Sequence, residues 1–368
     1  MDKVKINSQQ LLALMILFNM GTALVVSLGT SAERDAWLAN LLGAAGGFLL
    51  FGVYAALHLL APNLRLTGHL RTMLGRRIGF VAGMLYIIFF MYGAARDLRD
   101  AGNLLINSVL DQTPLTVVEA VMILSVAYVL NKGIEVLART AQIFLVVLLL
   151  TGLLSMFFLL CSRLIETERL FPVLGNGWSP VLISVLQQTF EFPYSELICF
   201  MMLLPLINQT KKGIRFGFVA VVISGIVLTI SSMLQITILG TDITSRSTFP
   251  LLYMISLIDI GSIVQRLDVF VVLTLIIGVF FKIAMFYYAC VSAITDIFHI
   301  QDERRMILPV GLLILLTSLA SAGSFPEHIE EGNLALRTLF IFMGVALPVL
   351  LLIFGWIKKR FRLNSTPS

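Results

Sequence analysis

Three places inside long apolar runs hold residues that apolar surroundings make costly. The first is Thr189-Phe190-Glu191-Phe192-Pro193-Tyr194-Ser195-Glu196. Pro193 has no N–H to donate, and in a continuous helix its ring clashes with the carbonyl of Thr189. A carboxylate at membrane depth is expensive unless it is paired, protonated or wet. A proline between two glutamates therefore predicts a broken helix, buried in protein or beside a watery cavity. The second place is Lys282, within Phe280-Phe281-Lys282-Ile283-Ala284-Met285. Helical spacing puts it on one face with Gly278, Met285 and Ala289. It either reaches a polar group on another helix or snorkels to the surface. Its distance from the end of the run favours the first. The third is Asn19-Met20-Gly21-Thr22-Ala23. Glycine lowers the cost of leaving helical geometry, and Asn and Thr can bond the freed backbone. Close packing through a small residue is the other reading there.

The elements that position these residues are membrane spans. Of 368 residues, 58% are hydrophobic and only 13% charged, against roughly 25% charged in an average soluble domain. A spanning helix needs about 20 mostly apolar residues. Ten runs qualify, near 11–30, 37–60, 78–98, 114–130, 140–161, 181–207, 214–238, 263–290, 306–322 and 335–357. The chain is expected to be one polytopic, all-α membrane domain over 1–368. The polar residues 1–10 precede a run long enough to be a retained first helix, with no small-residue cleavage pattern.

Lys and Arg set the orientation. With the N-terminus inside, 17 fall in inside segments and eight in outside segments. Both termini are therefore expected in the cytoplasm. The interrupted runs are the first and the sixth, five helices apart. Two five-helix repeats have odd membership, so the second must be inverted relative to the first. Breaks at matching places in inverted halves point to a binding site at mid-membrane. The halves are helices 1–5, about 11–161, and helices 6–10, about 181–357.

Other features have plainer readings. Arg96 and Asp100 are spaced to pair along one helix and read first as a salt-bridged helix end, with an outer vestibule gate as the alternative. Glu119 reads as interfacial. Gly43 and Gly47 mark close helix packing. The charged stretch Arg65–Arg77 is either a solvated loop or an amphipathic segment on an anionic leaflet. Cys161, Cys199 and Cys290 are odd in number and widely spaced, which suits packing rather than disulfides or zinc. There is no phosphate-binding glycine loop, nucleophile elbow or metal spacing, so no enzyme activity, cofactor or metal is expected. The net charge of +5 reads as loop asymmetry rather than a nucleic-acid surface.

Several segments together resemble the B subunit of bacterial spore nutrient-germinant receptors, the endospore germination permeases. They are Gly21-Thr22-Ala23 with Asp35-Ala36-Trp37-Leu38, Gly133-Ile134-Glu135-Val136-Leu137-Ala138-Arg139, and Phe171-Pro172-Val173-Leu174-Gly175-Asn176-Gly177-Trp178. Glu191 to Glu196 and Lys282 fit as well. The resemblance covers nearly the whole chain. It implies the amino acid–polyamine–organocation superfamily and a leucine-transporter-like 5+5 inverted repeat with helices 1 and 6 broken. It also implies assembly with A and C subunits in the inner membrane of the spore. Pro-Tyr-Ser-Glu follows Phe192 where many relatives have Pro-Phe-Gly-Glu.

On that arrangement the ligand site lies between the two breaks, walled by helices 3 and 8. Gly21 and Pro193 would open the backbone. Thr22, Tyr92, Phe192 and Tyr194 would shape specificity. The half-helix starting after Ser195 would meet an anionic ligand group, and Glu191 or Lys282 the other end. Lys282 would stand where many relatives bind sodium. The ligand is expected to be a small nutrient, an amino acid foremost. By physics alone, a sensor, a proton-coupled amino-acid transporter and a passive pore for water or small solutes all want such a cavity. The resemblance favours the sensor.

Overall fold

A computed structural model of the chain describes residues 5–26, 28–258 and 268–364. Lys3, Arg266 and the first residues of the expected eighth helix, 263–267, lie outside the described residues. The described chain is helical: α1 (Ser8–Val25), α2 (Ala36–Leu60), α3 (Leu66–Leu74), α4 (Arg76–Ser108), α5 (Leu115–Lys132), α6 (Ile134–Cys161), α7 (Trp178–Ser184), α8 (Thr210–Arg246), α9 (Pro250–Ser256), α10 (Asp268–Phe298), α11 (Arg304–Ser321), α12 (Phe325–Ala335) and α13 (Leu347–Asn364).

Among the described residues, eight stretches are long and apolar enough to cross a membrane. They are Thr30–Leu60, Arg76–Ser108, Leu115–Lys132, Ile134–Cys161, Thr210–Arg246, Val269–Phe298, Arg304–Ser321 and Pro326–Lys358. Two further apolar segments fall short for physical reasons. The helix α1 is shorter and kinks at Gly21 (φ −37°, ψ −112°). The run expected at 181–207 is not one helix. After α7 it passes through a π-turn (Val185–Thr189), a turn holding Pro193, and 3-10 segments at Ser195–Met202 and Leu204–Leu206.

The centre of the bundle is α1, packed between α8 and α10, with α4 against α10 and α2 against α8. The periphery is apolar on its outer face. Ile143 and Leu153 of α6 are 66% and 69% exposed, as lipid-facing residues should be. That outward apolar surface accounts for a composition no soluble fold could bury.

The glycines of α2 bring its backbone against the interrupted run. A Cβ at Gly43 would collide with the Thr189 backbone, and one at Gly47 with the Tyr194 ring. The hydroxyl of Thr189 donates to Ala39 O (2.7 Å), capping the contact. Carbonyls freed by the break find hydroxyl donors. Tyr54 OH lies 2.6 Å from Gly344 O and 3.0 Å from Ser195 O, and Tyr86 OH donates to Met343 O (2.7 Å). Gly344 and Met343 belong to a π-helical stretch, Leu336–Ala346, that joins α12 to α13. Two buried tyrosines thus supply what irregular backbone at membrane depth requires. Ile6 pairs with the strand-like end of the break: Ile6 N donates to Leu206 O (2.9 Å), and Asn208 N donates to Ile6 O (3.1 Å).

Candidate functional site

The Lys282 side chain reaches the α1 kink because two glycines let the helices touch. A Cβ at Gly278 would lie 2.9 Å from Gly21 Cα, and one at Gly21 would lie 3.1 Å from both Gly278 O and Lys282 Cβ. Lys282 is completely buried and does not snorkel. Its ammonium donates to Thr22 Oγ1 (2.6 Å) and lies 2.7 Å from Glu196 Oε2 and 3.4 Å from Asp97 Oδ1. Thr22 in turn donates to Asp97 Oδ1 (3.1 Å). The Phe192 ring centroid is 4.0 Å from Nζ and that of Phe18 is 5.7 Å, within cation–π range. Nearby, Asn19 Nδ2 donates to Ser224 Oγ (3.2 Å), tying α1 to α8 beside the kink.

Above this cluster lies a cavity of about 530 Å³, in the size range of small-molecule sites. Its floor is buried and formed by Asp97, Phe192 and Glu196. Its rim is exposed and includes Ser245, Thr248, Glu330 and Asn333. One wall is α12 with Leu336 and Phe340, and another is α4 through Gly93, Arg96 and Asp100. The cavity therefore runs from the surface at the Arg96 end of the bundle down to the Lys282 cluster.

Of the residues singled out in the sequence, Gly21, Thr22, Phe192 and Lys282 come together here. Phe192 lines the cavity, and Thr22 and Lys282 lie directly beneath its carboxylates. Pro193 is in the turn behind Phe192, and the Phe192–Pro193 peptide is cis. The others point elsewhere. Tyr194 is a wedge between α2 and α8, against Gly47 and Gly225. Ser195 is buried against Gly344. Tyr92 donates to Glu331 (3.3 Å), to one side of the cavity. Glu191 is fully buried, does not line the cavity, and has no hydrogen-bond partner for either carboxylate oxygen.

Asp97 is the member that the residue-by-residue reading left out, whereas Glu196, marked there as a costly carboxylate beside Pro193, is the partner Lys282 meets. The signal for Asp97 was present: it shares the spacing of Phe90, Gly93, Ala94 and Ala101, all buried, so it had to face inward. Two further expectations change. Arg96 and Asp100 do not pair along their helix. Arg96 Nη1 donates to His328 O (3.1 Å) and faces Glu331 (3.7 Å), and Asp100 meets His328 Nε2 (2.9 Å). Glu119, near the start of α5, is fully buried against protein, 3.6 Å from Arg99, rather than open to solvent. The cause is common to both. The helix α4 continues to Ser108, about three turns beyond 98, so these charges face protein rather than solvent.

Residues 5–326 match the family described as spore germination protein. The chain is 38% identical to spore germination protein KB of Bacillus subtilis (strain 168), over 98% of this chain and 97% of that one. It is 24% identical to spore germination protein YndE of the same organism over 97% of the chain and 98% of that protein. Among solved structures it resembles Mhp1, a nucleobase-cation-symport-1 family transporter in a closed conformation with bromovinylhydantoin bound (TM-score 0.75, 12% identity, 96% of this chain and 78% of that one). It also resembles MhsT in complex with L-phenylalanine (TM-score 0.71, 13% identity, 94% and 87%). At such identities the likeness speaks for the fold alone, that of leucine-transporter-like transporters. A family match over most of the chain and a full-length relative at 38% identity carry the assignment: this multi-pass membrane protein belongs to the spore germination protein family.

Proposed function

We propose that the chain is the nutrient-sensing membrane subunit of a spore germinant receptor. It binds a small nutrient in the cavity above Lys282 and passes the signal to A and C subunits in the inner membrane of the spore. The observation that carries this reading is the buried Lys282–Asp97–Glu196 cluster under an open cavity of about 530 Å³. Intramembrane charges of that kind are costly and are retained for function. An amino acid is the nutrient class that the sequence favours. The remaining finer statements belong to the same proposal. The ten-helix 5+5 inverted repeat counts α1 and the interrupted run as spans. The domain is single, with halves at about 11–161 and 181–357. Both termini are cytoplasmic, which puts the Arg96 end and its cavity outside. The site is Gly21, Thr22, Phe192, Pro193 and Lys282 first, with Tyr92, Glu191, Tyr194 and Ser195 acting from behind the lining.

A second reading draws on the same cluster. Two carboxylates around one lysine can hold and release a proton, which would suit proton-coupled amino-acid uptake. The experiment is a nutrient panel on spores lacking this subunit, then dose–response curves on spores carrying Thr22→Val or Pro193→Ala at equal receptor level. One lost contact weakens binding by about 1–3 kcal/mol, a shift of roughly tenfold to a hundredfold. Unchanged curves for both variants would refute the site. Robust uptake by the lone chain in liposomes would favour the transporter.

A further inference from the structure

We propose that the cavity takes its ligand by a protonated amino group held against Asp97, and that it offers no seat to a carboxylate. This refines, and rests on, the reading of the cavity as the nutrient site. The charges of the cavity do not balance. Four carboxylates line it, from Asp97, Asp100, Glu196 and Glu330, against the single guanidinium of Arg96. Beneath the floor the ammonium of Lys282 is divided between Asp97 and Glu196. Asp97 is buried, and its Oδ2 has no hydrogen-bond partner, while Oδ1 receives Thr22. A buried carboxylate oxygen left unbonded lacks the compensation that its desolvation demands. A ligand ammonium supplies that bond and offsets the surplus negative charge.

The groups that would hold an anion are already engaged. Arg96 is bound to His328 O and faces Glu331, with Gly332 packed against its guanidinium. Lys282 is enclosed by Thr22, Asp97 and Glu196. At the break, Ser195 N donates to Glu191 O (2.7 Å) and Leu197 N to Tyr194 O (3.3 Å), so those amides are not free for a ligand carboxylate. Phe192 and Phe340 give the ligand's apolar part a surface, and an aromatic face beside a cation is favourable. The volume suits an organic amine better than a bare metal ion. The expected order of affinity at one side chain is cation, then zwitterion, with neutral and anionic forms unbound.

The test uses the full chain purified into nanodiscs, with thermal unfolding followed at rising ligand concentration. The panel is the standard L-amino acids, their methyl esters, their N-acetyl derivatives, and the hexoses D-glucose and D-fructose. For at least one side chain the ester should stabilise at a lower concentration than the parent amino acid, and its N-acetyl form and the hexoses should not stabilise. Asp97→Asn should weaken the ester by tenfold or more. Because that change also frees Lys282, Glu330→Gln on the exposed rim is the companion, expected to weaken the ester about threefold through charge alone. Stabilisation by N-acetyl forms or hexoses in place of esters would overturn the cationic class and leave the cavity as the nutrient site. Stabilisation by no panel member would overturn both. Ester binding unchanged in a folded Asp97→Asn would remove Asp97 from the site.

Discussion

Both ends of the bundle hold clusters of charged side chains and use them differently. At the Arg65 end, α3 lies across α10 and is strapped by matched pairs. Arg71 and Thr67 both meet Asp296 Oδ2 at 2.5 Å, and Arg65 meets Glu303 at 2.7 Å. Within this strap Arg65 and Arg71 each have a carboxylate. At the Arg96 end the carboxylates outnumber the cations, and they surround a cavity with Lys282 below it. The same two helices, α4 and α10, run through both ends. The matched strap is closed by structure, and the unbalanced cavity is left able to receive something. Excess buried charge, rather than charge as such, separates a site from a clasp.

Three changes break the comparison at different places. The largest effect should come from Lys282→Met. It leaves Asp97 and Glu196 buried with no cation, and removing one partner from a buried ion pair costs about 3–5 kcal/mol. Receptor abundance on immunoblots and the nutrient response should both fall, and Lys282→Arg should restore part of each. Next is the strap's response to acid. His58 and His69 are fully buried. Burial, with His58 adding, pushes the His69 imidazole down to about 4, below its unfolded value of about 6.5. A base lowered in this way stabilises the fold above pH 6.5, and the contribution is lost as pH falls toward 4. The loss is on the order of 3 kcal/mol. Melting temperature should fall over that window in the wild type, and less in His69→Leu. The smallest effect should come from Asp296→Asn. Its pair with Arg71 is about one-quarter exposed on both sides, so the cost should be about 1 kcal/mol. The concentration of nutrient giving half-maximal response should not move. A large shift there would mean that the two ends are coupled and that the strap is part of the signal.

Much of the frame was legible in the sequence because it rests on composition and single-residue chemistry. Apolar runs announce spans, Pro193 announces the break, and Gly21 announces the kink. Lys282 was legible as a buried cation because it lies too deep to snorkel. What was not legible depends on tertiary direction. Tyr194 and Phe192 are two residues apart at the break, yet only Phe192 faces the cavity, because Gly47 and Gly225 make room for Tyr194 between α2 and α8. Asp97 was hidden among Arg96, Arg99 and Asp100, which together look like a solvated helix end. Only the continuation of α4 to Ser108 turns that cluster inward. The burial of Glu119 against Arg99 was hidden for the same reason.

The central claim is that nutrient enters the cavity at the Arg96 end. It is tested most directly by a cysteine at Asn333, on the exposed rim, with Cys161 changed to serine as the one exposed native thiol. A membrane-impermeant maleimide should label Asn333→Cys, and labelling should slow several-fold in the nutrient that triggers these spores. A cysteine at Asn176, exposed in the outside segment and away from the cavity lining, should label with no such protection. Labelling of Asn333→Cys at an unchanged rate, in nutrient at concentrations that drive germination, would contradict the account.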